Sequence, residues 1–404
     1  MHQFLSEMIF MSEEKLVPKL RFKGFDDEWV IKRLDEISEI NPKTRELPEN
    51  FVYIDLDSVN NGILTKFNKI NKIDAPSRAQ RCLDLNDILF QTVRPYQMNN
   101  FFFELNDCDY VASTGYAQIK SQIFPRFLYY YLHYYKFVND VLNRCTGSSY
   151  PAINSTDLKK IKIKIPSSFN EQKLIGDLFH KIDKKIELLE NKYEYYQYFK
   201  KYLMQQIFTQ KLKFDFNDEW KNIPFKKLLK EVNEKTTVNN QHEILSSTKE
   251  GIFTQKDYFA DRNVASKDNT GYKVLRKNQI VLSPQNLWMG NINVNTEFDI
   301  GIVSPSYKIY ETTDLIDINY FKHIVKLPRL IYEYTCASEQ GASIVRRNLN
   351  KQLFNEITIK VPSLNEQKKI GNLFDTCDEK IKNIDKNIQD MKEFKKGLLQ
   401  QMFV

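Results

Sequence analysis

The sequence predicts a mixed α+β fold in which two small α/β globules are joined by two long antiparallel helices that form a coiled coil. Three observations indicate this fold class. A long apolar seam runs through part of the chain, the seam recurs 195 residues later, and the segments outside the seams mix strand-like and helix-like patterns. A duplication of this size predicts an internal repeat with approximate twofold symmetry between the halves.

Each seam advances in alternating steps of four and three residues, the pattern of a helix that pairs with another along one stripe. About 40 helical residues make a rod of roughly 60 Å, longer than a compact domain usually needs. One face of an ordinary core helix is the alternative interpretation of a single seam, and the second copy favours pairing of two rods. The first seam consists of Ile175, Phe179, Ile182, Ile186, Leu189, Tyr193, Tyr196, Lys200, Leu203 and Ile207. The second seam consists of Ile370, Phe374, Cys377, Ile381, Ile384, Ile388, Met391, Lys395, Leu398 and Met402.

Both predicted rods begin on a Ser-x-x-Glu sequence, at residues 168–171 and 363–366. This sequence predicts a capping box, in which the serine oxygen accepts a backbone N–H bond and the glutamate returns one to the serine. Both seams also carry a lysine at the same step, Lys200 and Lys395. A single polar residue in such a seam lowers stability and can fix the register of pairing.

The order of the parts predicts the direction of the rods. Each half contains a tryptophan motif, Phe25–Trp29 or Phe216–Trp220, followed by a globule and then a rod. The first rod ends where the second globule begins, and the second rod starts from that globule, so paired rods must run antiparallel. The predicted boundaries are 1–18 for an N-terminal extension, 19–165 and 211–361 for the globules, and 166–210 and 362–404 for the rods.

Local patterns predict the elements of each globule. In the first globule, strands are predicted at 51–56, 87–93, 101–105 and 161–165, with a helix at 125–142. One side of that helix is predicted to hold Leu128, Tyr131, Leu132, Tyr135, Val138 and Leu142. In the second globule, strands are predicted at 278–284, 301–310 and 357–361, with a helix at 318–326.

Composition narrows the class of protein. The formal charge of +7 and the pI near 8.8 favour an acidic partner such as a nucleic acid, although an AT-rich genome also produces many lysines. No run of about 18 apolar residues occurs, so no membrane span is predicted. Met1 and Met11 both remain candidates for the natural first residue. The scattered cysteines Cys82, Cys108, Cys145, Cys336 and Cys377 fit a reducing cytoplasm.

The sequence contains no convincing catalytic motif. No glycine is followed two or five residues later by another, which excludes both a G-x-G cofactor loop and a G-x-x-x-x-G-K phosphate loop. The segment Ser304–Tyr307 lacks the amide acceptor of an amino-methyltransferase motif, and the five histidines have no metal-ligand spacing. The Glu219-Trp220-Lys221 segment matches only the end of a nuclease motif. The sequence therefore predicts no catalytic residue and no metal site.

A doubled motif connects the chain to a known family. It runs from Pro166 through Glu171-Gln172 and Gly176 to Phe179, and it returns from Pro362 to Phe374. An Asp-x-Lys-Ile segment follows each copy, and the tryptophan motif precedes each globule. Over nearly its whole length the chain resembles the specificity subunit of a type I restriction-modification system.

The resemblance implies a division of labour. Each globule would be a target-recognition domain that reads one half of a bipartite, asymmetric DNA site, and the rods would set the gap between the halves. Adenine methylation would belong to two methyltransferase subunits with S-adenosylmethionine, and cleavage to ATP- and Mg-dependent restriction subunits. This chain would be non-catalytic, cofactor-free and cytoplasmic. A coiled-coil adaptor with two protein-binding heads, or a single-chain DNA-modifying enzyme, are the alternatives.

Candidate DNA-binding residues lie in loops that follow predicted strands or end the globules. Arginine, glutamine and asparagine can form two hydrogen bonds with a base edge, whereas arginine or serine can bind phosphate without reading sequence. In the first globule the candidates are Arg94, Tyr96, Gln97, Asn99, Asn100, Ser148, Ser149 and Tyr150. In the second globule they are Gln285, Asn286, Trp288, Ser343, Arg346 and Arg347.

Overall fold

The computed structural model describes residues 16–105, 109–216, 218–259, 266–340 and 346–404. The chain forms two compact units. Unit 1 comprises the described residues up to Lys192 together with Ile384–Val404, and unit 2 comprises Tyr193–Asn383. Each unit therefore contains one globule and a segment of both long helices. Met11 and most of the predicted extension at 1–18 lie outside the described residues.

Unit 1 combines twelve short strands with four short α-helices and a segment of each long helix, counted over its described residues. The strands are β1 Val30–Arg33, β2 Ser38–Ile40, β3 Asn50–Ile54, β4 Val59–Asn60, β5 Ile63–Leu64, β6 Asn68–Asn71, β7 Ala79–Cys82, β8 Ile88–Gln91, β9 Phe101–Phe102, β10 Tyr110–Ser113, β11 Tyr116–Ser121 and β12 Lys162–Ile165. The helices are α1 Leu34–Ile37, α2 Pro125–Tyr131, α3 Tyr135–Leu142, α4 Ser155–Lys159 and the long α5 Phe169–Phe208.

The globule of unit 2 has a similar order of elements. Its strands are β13 Lys221–Pro224, β14 Leu229–Val232, β15 Leu245–Ser247, β16 Ile252–Thr254, β17 Lys273–Arg276, β18 Ile280–Leu282, β19 Ile292–Val294, β20 Ile300–Val303, β21 Lys308–Thr312, β22 Ser338–Gln340, β23 Arg347–Leu349 and β24 Thr358–Val361. The helices are α6 Phe225–Leu228, α7 Gln255–Phe259, α8 Ile318–Ile324, α9 Pro328–Cys336, α10 Lys351–Glu356 and the long α11 Leu364–Met402. The helix α7 and the hairpin β22–β23 are additional to the elements of unit 1.

The two globules share a sheet scaffold. A four-stranded sheet has the order β2-β11-β8-β9 in unit 1 and β14-β21-β18-β19 in unit 2. The first strand of each globule pairs antiparallel with the last, as β1 with β12 and β13 with β24. Unit 1 adds the sheet β6-β3-β10-β7, in which β3 and β10 run parallel. The strand after each tryptophan therefore lies beside the strand that leads into a long helix.

Two predicted elements are divided in the structure. The predicted helix at 125–142 breaks between α2 and α3, where Tyr134 adopts an extended conformation before α3. Beyond the break the predicted apolar side is wrong, because Tyr135 is 49% exposed whereas Phe137 and Val141 are buried. The predicted strand at 301–310 is two strands, β20 and β21, because a turn closed by the Tyr307 N–H bond to the Ser304 carbonyl interrupts it.

The long helices pair antiparallel within each unit, which confirms the prediction. In unit 1, Phe179 near the start of α5 stacks on Phe403, just after the end of α11, with ring centroids 5.7 Å apart. Glu190, eleven residues later in α5, lies 2.7 Å from Lys392, eleven residues before Phe403. In unit 2, Phe208 stacks on Phe374 with centroids 5.9 Å apart. All twenty seam residues are buried or half-buried. The alternating pattern therefore marks the face that each helix turns toward its neighbours.

Each seam lysine pairs with an aspartate of the other long helix. Lys395 Nζ lies 2.6 Å from Asp183 Oδ1 in unit 1, and Lys200 Nζ lies 2.5 Å from Asp378 Oδ1 in unit 2. These half-exposed pairs add at most about 1 kcal/mol of stability each. Because a slipped register would separate both pairs, their main consequence is to fix the alignment of the helices.

The predicted capping box forms only in part. In unit 1 the Ser168 hydroxyl accepts the Glu171 N–H at 3.4 Å as predicted, but the glutamate near the start of each long helix bonds to the tryptophan of the motif and not back to the serine. The Glu171 carboxylate accepts hydrogen bonds from Arg21 at 2.7 and 2.9 Å and from Trp29 Nε1 at 3.4 Å. Glu366 accepts one from Trp220 Nε1 at 3.2 Å. A charged, partly buried donor satisfies the carboxylate better than a backbone amide at the helix start. The motif thus fastens each long helix to the first residues of its globule.

Gln172 and Gly176, which follow Glu171 in α5, hold the start of α5 against the short helix α2 of the globule. Gln172 accepts the Phe124 N–H at 3.0 Å and donates to the Pro166 carbonyl at 2.8 Å. A Cβ on Gly176 would lie 2.8 Å from the backbone nitrogen of Phe127. In unit 2, Gln367 accepts the Asp317 N–H at 2.7 Å. Close approach of the two backbones leaves no room for a side chain at the glycine.

Substituting this glycine tests the close approach. Gly176→Ala places a methyl group against backbone that cannot move aside, and we expect a loss of about 1–3 kcal/mol in the free energy of unfolding. Gly397→Ala is the matched control, because no heavy atom lies within 4 Å of its Cβ position in α11. The control is expected to be neutral or to gain up to about 1 kcal/mol. Urea unfolding followed by circular dichroism measures both, and equal effects would contradict the close packing.

Candidate functional site

Two loops that the sequence singles out meet in unit 1. We call residues 92–100, after β8, the strand-end loop of unit 1, and residues 146–153 its late loop. The Arg94 N–H donates to the Pro151 carbonyl at 2.7 Å, and the Ile153 N–H donates to the Thr92 carbonyl at 3.0 Å. These backbone bonds join segments more than fifty residues apart into one surface.

The corresponding loops meet in unit 2. The strand-end loop of unit 2 comprises residues 283–291, after β18, and we call the described residues 346–350, which include the short strand β23, its late loop. The Arg347 N–H donates to the Gln285 carbonyl at 3.1 Å. Ser343, a predicted DNA-binding residue, lies outside the described residues. The same pair of loops is therefore connected in both units.

An arginine lies over an aromatic ring in each loop pair. The guanidinium carbon of Arg94 is 4.2 Å from the ring centroid of Tyr150, and that of Arg347 is 4.3 Å from the ring centroid of Trp288. The loop that supplies the arginine differs between the units. In unit 1 the strand-end loop supplies the arginine, whereas in unit 2 it supplies the ring. A cation over a ring face is attracted by the quadrupole of the ring and loses rotational freedom.

The other predicted residues of unit 1 divide into an exposed set and a supporting set. Asn100 is only 1% exposed, and its side-chain oxygen accepts the Gln91 N–H at 2.9 Å, so it supports the loop from inside. Asn99 is half-buried and accepts the Asn61 N–H at 3.0 Å. The exposed set is Tyr96, Gln97, Ser148, Ser149 and Tyr150.

A cavity of about 650 Å³ opens beside the Arg94–Tyr150 pair. Gln97 and Asn99 line it, and so do Lys66 and Arg78, which sequence reasoning missed. Neither basic residue stands in a motif, and only the fold brings them beside the strand-end loop. The cavity offers cationic and amide groups to one ligand, the combination that suits a phosphate backbone and a base edge.

In unit 2 the predicted residues lie on a loop with a polar support. Gln285 and Arg346 are exposed, whereas Asn286, Trp288 and Arg347 are half-buried. Two asparagines on the side of β19 hold this loop against β15, and no sequence signal marked them. Asn291 donates to the Ser247 carbonyl, and Asn293 donates to the Ser247 hydroxyl and the Thr248 carbonyl.

A half-buried histidine supports the strand-end loop of unit 1. His133 Nδ1 lies 2.8 Å from the Tyr129 carbonyl and donates to it, which leaves Nε2 to accept from Asn100 Nδ2 at 3.4 Å. Burial lowers the pKa of His133 to about 4, and the charge of Lys395 lowers it further in the same direction. The imidazole is therefore neutral at pH 7, as this hydrogen-bond arrangement requires.

The described residues contain free thiols, but neither a metal-ligand cluster nor a helix able to span a membrane. Among these residues, no group of three or more histidine, cysteine or acidic side chains could hold a metal ion. No described helix is long and apolar enough to cross a membrane. Within the described ranges the free thiols are Cys82, Cys145, Cys336 and Cys377, and Cys108 lies outside them.

Residues 26–197 match the family model of the type I restriction modification DNA specificity domain. The chain is 28% identical over 149 residues to the type I restriction enzyme HindI specificity subunit of Haemophilus influenzae, a match that covers 34% of this chain and 31% of that protein. The chain thus spans about a third of the length of this curated relative.

Solved structures share the fold. The structure described as the type I restriction-modification system S subunit from M. genitalium superposes with a TM-score of 0.59 at 16% identity, over 96% of this chain and 99% of that one. A chain from a structural study of the assembly of the type I R-M system superposes with a TM-score of 0.55 at 19% identity, over 94% of this chain and 98% of that one.

The low pKa of His133 makes unit 1 sensitive to acid. In the unfolded chain a histidine has a pKa near 6.5, so the unfolded state binds the proton first and stability falls from pH 6.5 toward pH 4. We expect His133 to account for a loss of roughly 3 kcal/mol across that window. Urea unfolding at several pH values measures it, and His133→Gln should remove this component whereas His242→Gln should not. An unchanged pH profile in His133→Gln would contradict the assignment.

Proposed function

We propose that the chain is a type I restriction-modification specificity subunit that reads a bipartite DNA sequence, because residues 26–197 match the DNA specificity domain and the second half repeats the same sheet order. In this proposal each unit recognises one half of an asymmetric site. The observation that carries it is the joined loop pair, present at the same place in both units and furnished with different side chains.

Duplication with divergence explains why the site would be asymmetric. A symmetric dimer presents identical surfaces and reads a palindrome. Here the scaffold is repeated, but the strand-end loop offers Arg94 and Gln97 in unit 1 and Gln285 and Trp288 in unit 2. Different side chains at equivalent places select different bases, so the halves of the site would differ.

Charge supports a nucleic-acid ligand. The chain carries a formal charge of +7, and exposed arginines and lysines beside the loops would contact phosphates. Such contacts release counterions, and affinity then falls steeply as salt rises. The alternative, a coiled-coil adaptor with two protein-binding heads, has no affinity for duplex DNA and little salt dependence.

We assign the chemistry to partner proteins. Methyltransferase subunits with S-adenosylmethionine, in two copies, would methylate adenine, and restriction subunits with ATP and Mg would cleave DNA, while this chain would be non-catalytic and work in the cytoplasm. Three exposed tyrosines on α5 are evidence for a protein partner. The exposed fractions are 63% for Tyr195, 73% for Tyr198 and 57% for Tyr202. Exposed aromatic surface of this kind marks an interaction site.

Exchange of one globule interior tests the reading function. Residues 45–150 are replaced by the matching region of a second specificity subunit. The exchanged protein is expressed in one bacterial strain together with the methyltransferase subunit. Because β1, β12 and α5 are kept, the exchanged unit should fold, and methylome sequencing should show one new half-site beside one unchanged half-site. A methylated sequence that changes in both halves, or in neither, would overturn the assignment of one half-site to each unit.

Shortening both long helices tests their role as a spacer. Deleting 189–195 and 385–391 removes one heptad from each seam and retains both lysine–aspartate pairs. Each helix becomes shorter by about 10 Å, close to three base pairs of DNA. We expect methylome sequencing to show a gap reduced by about three unread base pairs, with both half-sites unchanged. An active complex whose gap is unaltered would show that the helices do not set the spacing.

A further inference from the structure

The two arginines that lie over aromatic rings have donor groups to spare. Among the described residues, no side-chain hydrogen bond or ion pair connects the Arg94 guanidinium to another group, and its only side-chain partner is the Tyr150 ring. The Nε of Arg347 is buried without a hydrogen-bond partner. A buried donor without a partner costs stability, so it marks a place where a ligand can supply the acceptor.

The ring contact prepares each guanidinium for a planar ligand. Stacking uses the face of the guanidinium and leaves its in-plane N–H groups available. It also restricts a side chain that otherwise has many rotamers, so that less entropy is lost when the ligand binds. The free fork of donors matches the two acceptors, O6 and N7, that guanine presents in the major groove.

We propose that Arg94 and Arg347 are specificity-determining residues, each reading a guanine in its own half-site, and that Tyr150 and Trp288 position them. This inference rests on the proposed function and deepens it. It assigns base reading to two residues of the loop pairs, and it predicts a guanine contact in each half. Because the arginine comes from the strand-end loop in unit 1 and from the late loop in unit 2, the two guanines need not occupy matching positions.

Lysine substitutions separate base reading from phosphate binding. Arg94→Lys and Arg347→Lys keep the positive charge and lose the planar fork that spans O6 and N7. The full-length chain is used to select binders from duplex DNA randomised over about 20 bp, long enough for two half-sites. We expect each variant to lose the guanine preference at one position of one half-site, by roughly 5- to 150-fold, and to retain the other half.

Matched controls lie in the same units but outside the loops. Arg144 in unit 1 and Arg329 in unit 2 are exposed, and Arg144→Lys and Arg329→Lys should leave the selected sequence unchanged. The ring residues are tested by rescue. Tyr150→Leu and Trp288→Leu should weaken binding of the selected sequence several-fold while the preferred bases persist, and Tyr150→Phe and Trp288→Phe should restore binding.

The outcomes distinguish this inference from the function on which it rests. If the unchanged protein selects a bipartite sequence and both lysine variants select the same one, the arginines do not read bases and the inference is overturned. If the lysine variants weaken binding to all sequences equally, the arginines bind phosphate and the inference is again overturned. If the unchanged protein selects no sequence, the proposed function itself fails.

Discussion

The seating of each long helix on its globule is the constraint on which the rest of the structure depends. At the start of α5, Gln172 bonds to backbone on both sides, and Gly176 lets α2 approach until the two backbones touch. Glu171 then binds the buried Trp29. A helix held by backbone contacts cannot rotate about its axis without breaking them, so the joined loops of a unit keep a fixed orientation to the helix that begins there.

The repeat preserves this seating while the contents of the globules diverge. The sheets β2-β11-β8-β9 and β14-β21-β18-β19 have the same order, and β1–β12 and β13–β24 close their globules in the same way. The side chains of the loops are free to change on such a scaffold. The reversal of arginine and ring between the two loop pairs shows how far they have changed.

The sequence predicted the features that repeat along one helix, and it failed where distant segments meet. Heptad spacing in the seams identified the faces that pair, because that pattern is local, and the order of globules and rods gave the antiparallel direction. The Glu171–Trp29 bond and the close approach at Gly176 join residues far apart in sequence, so a local capping rule gave the wrong partner. Asn100 looked like a base reader because its side chain suits one, but the fold turns it inward to hold Gln91. The rings under Arg94 and Arg347 could not be predicted without the loops that carry them.

The pairing of the first and last strands gives each globule interior two ends that lie side by side. Val30 pairs with Ile165 in unit 1, and Lys221 pairs with Val361 in unit 2. A genetic recombination event with crossovers just inside these strands would insert a foreign interior as a cassette and leave both junctions in place. A new interior would then arrive by shuffling rather than by gradual mutation, as long as it keeps the short helix on which the long helix is seated.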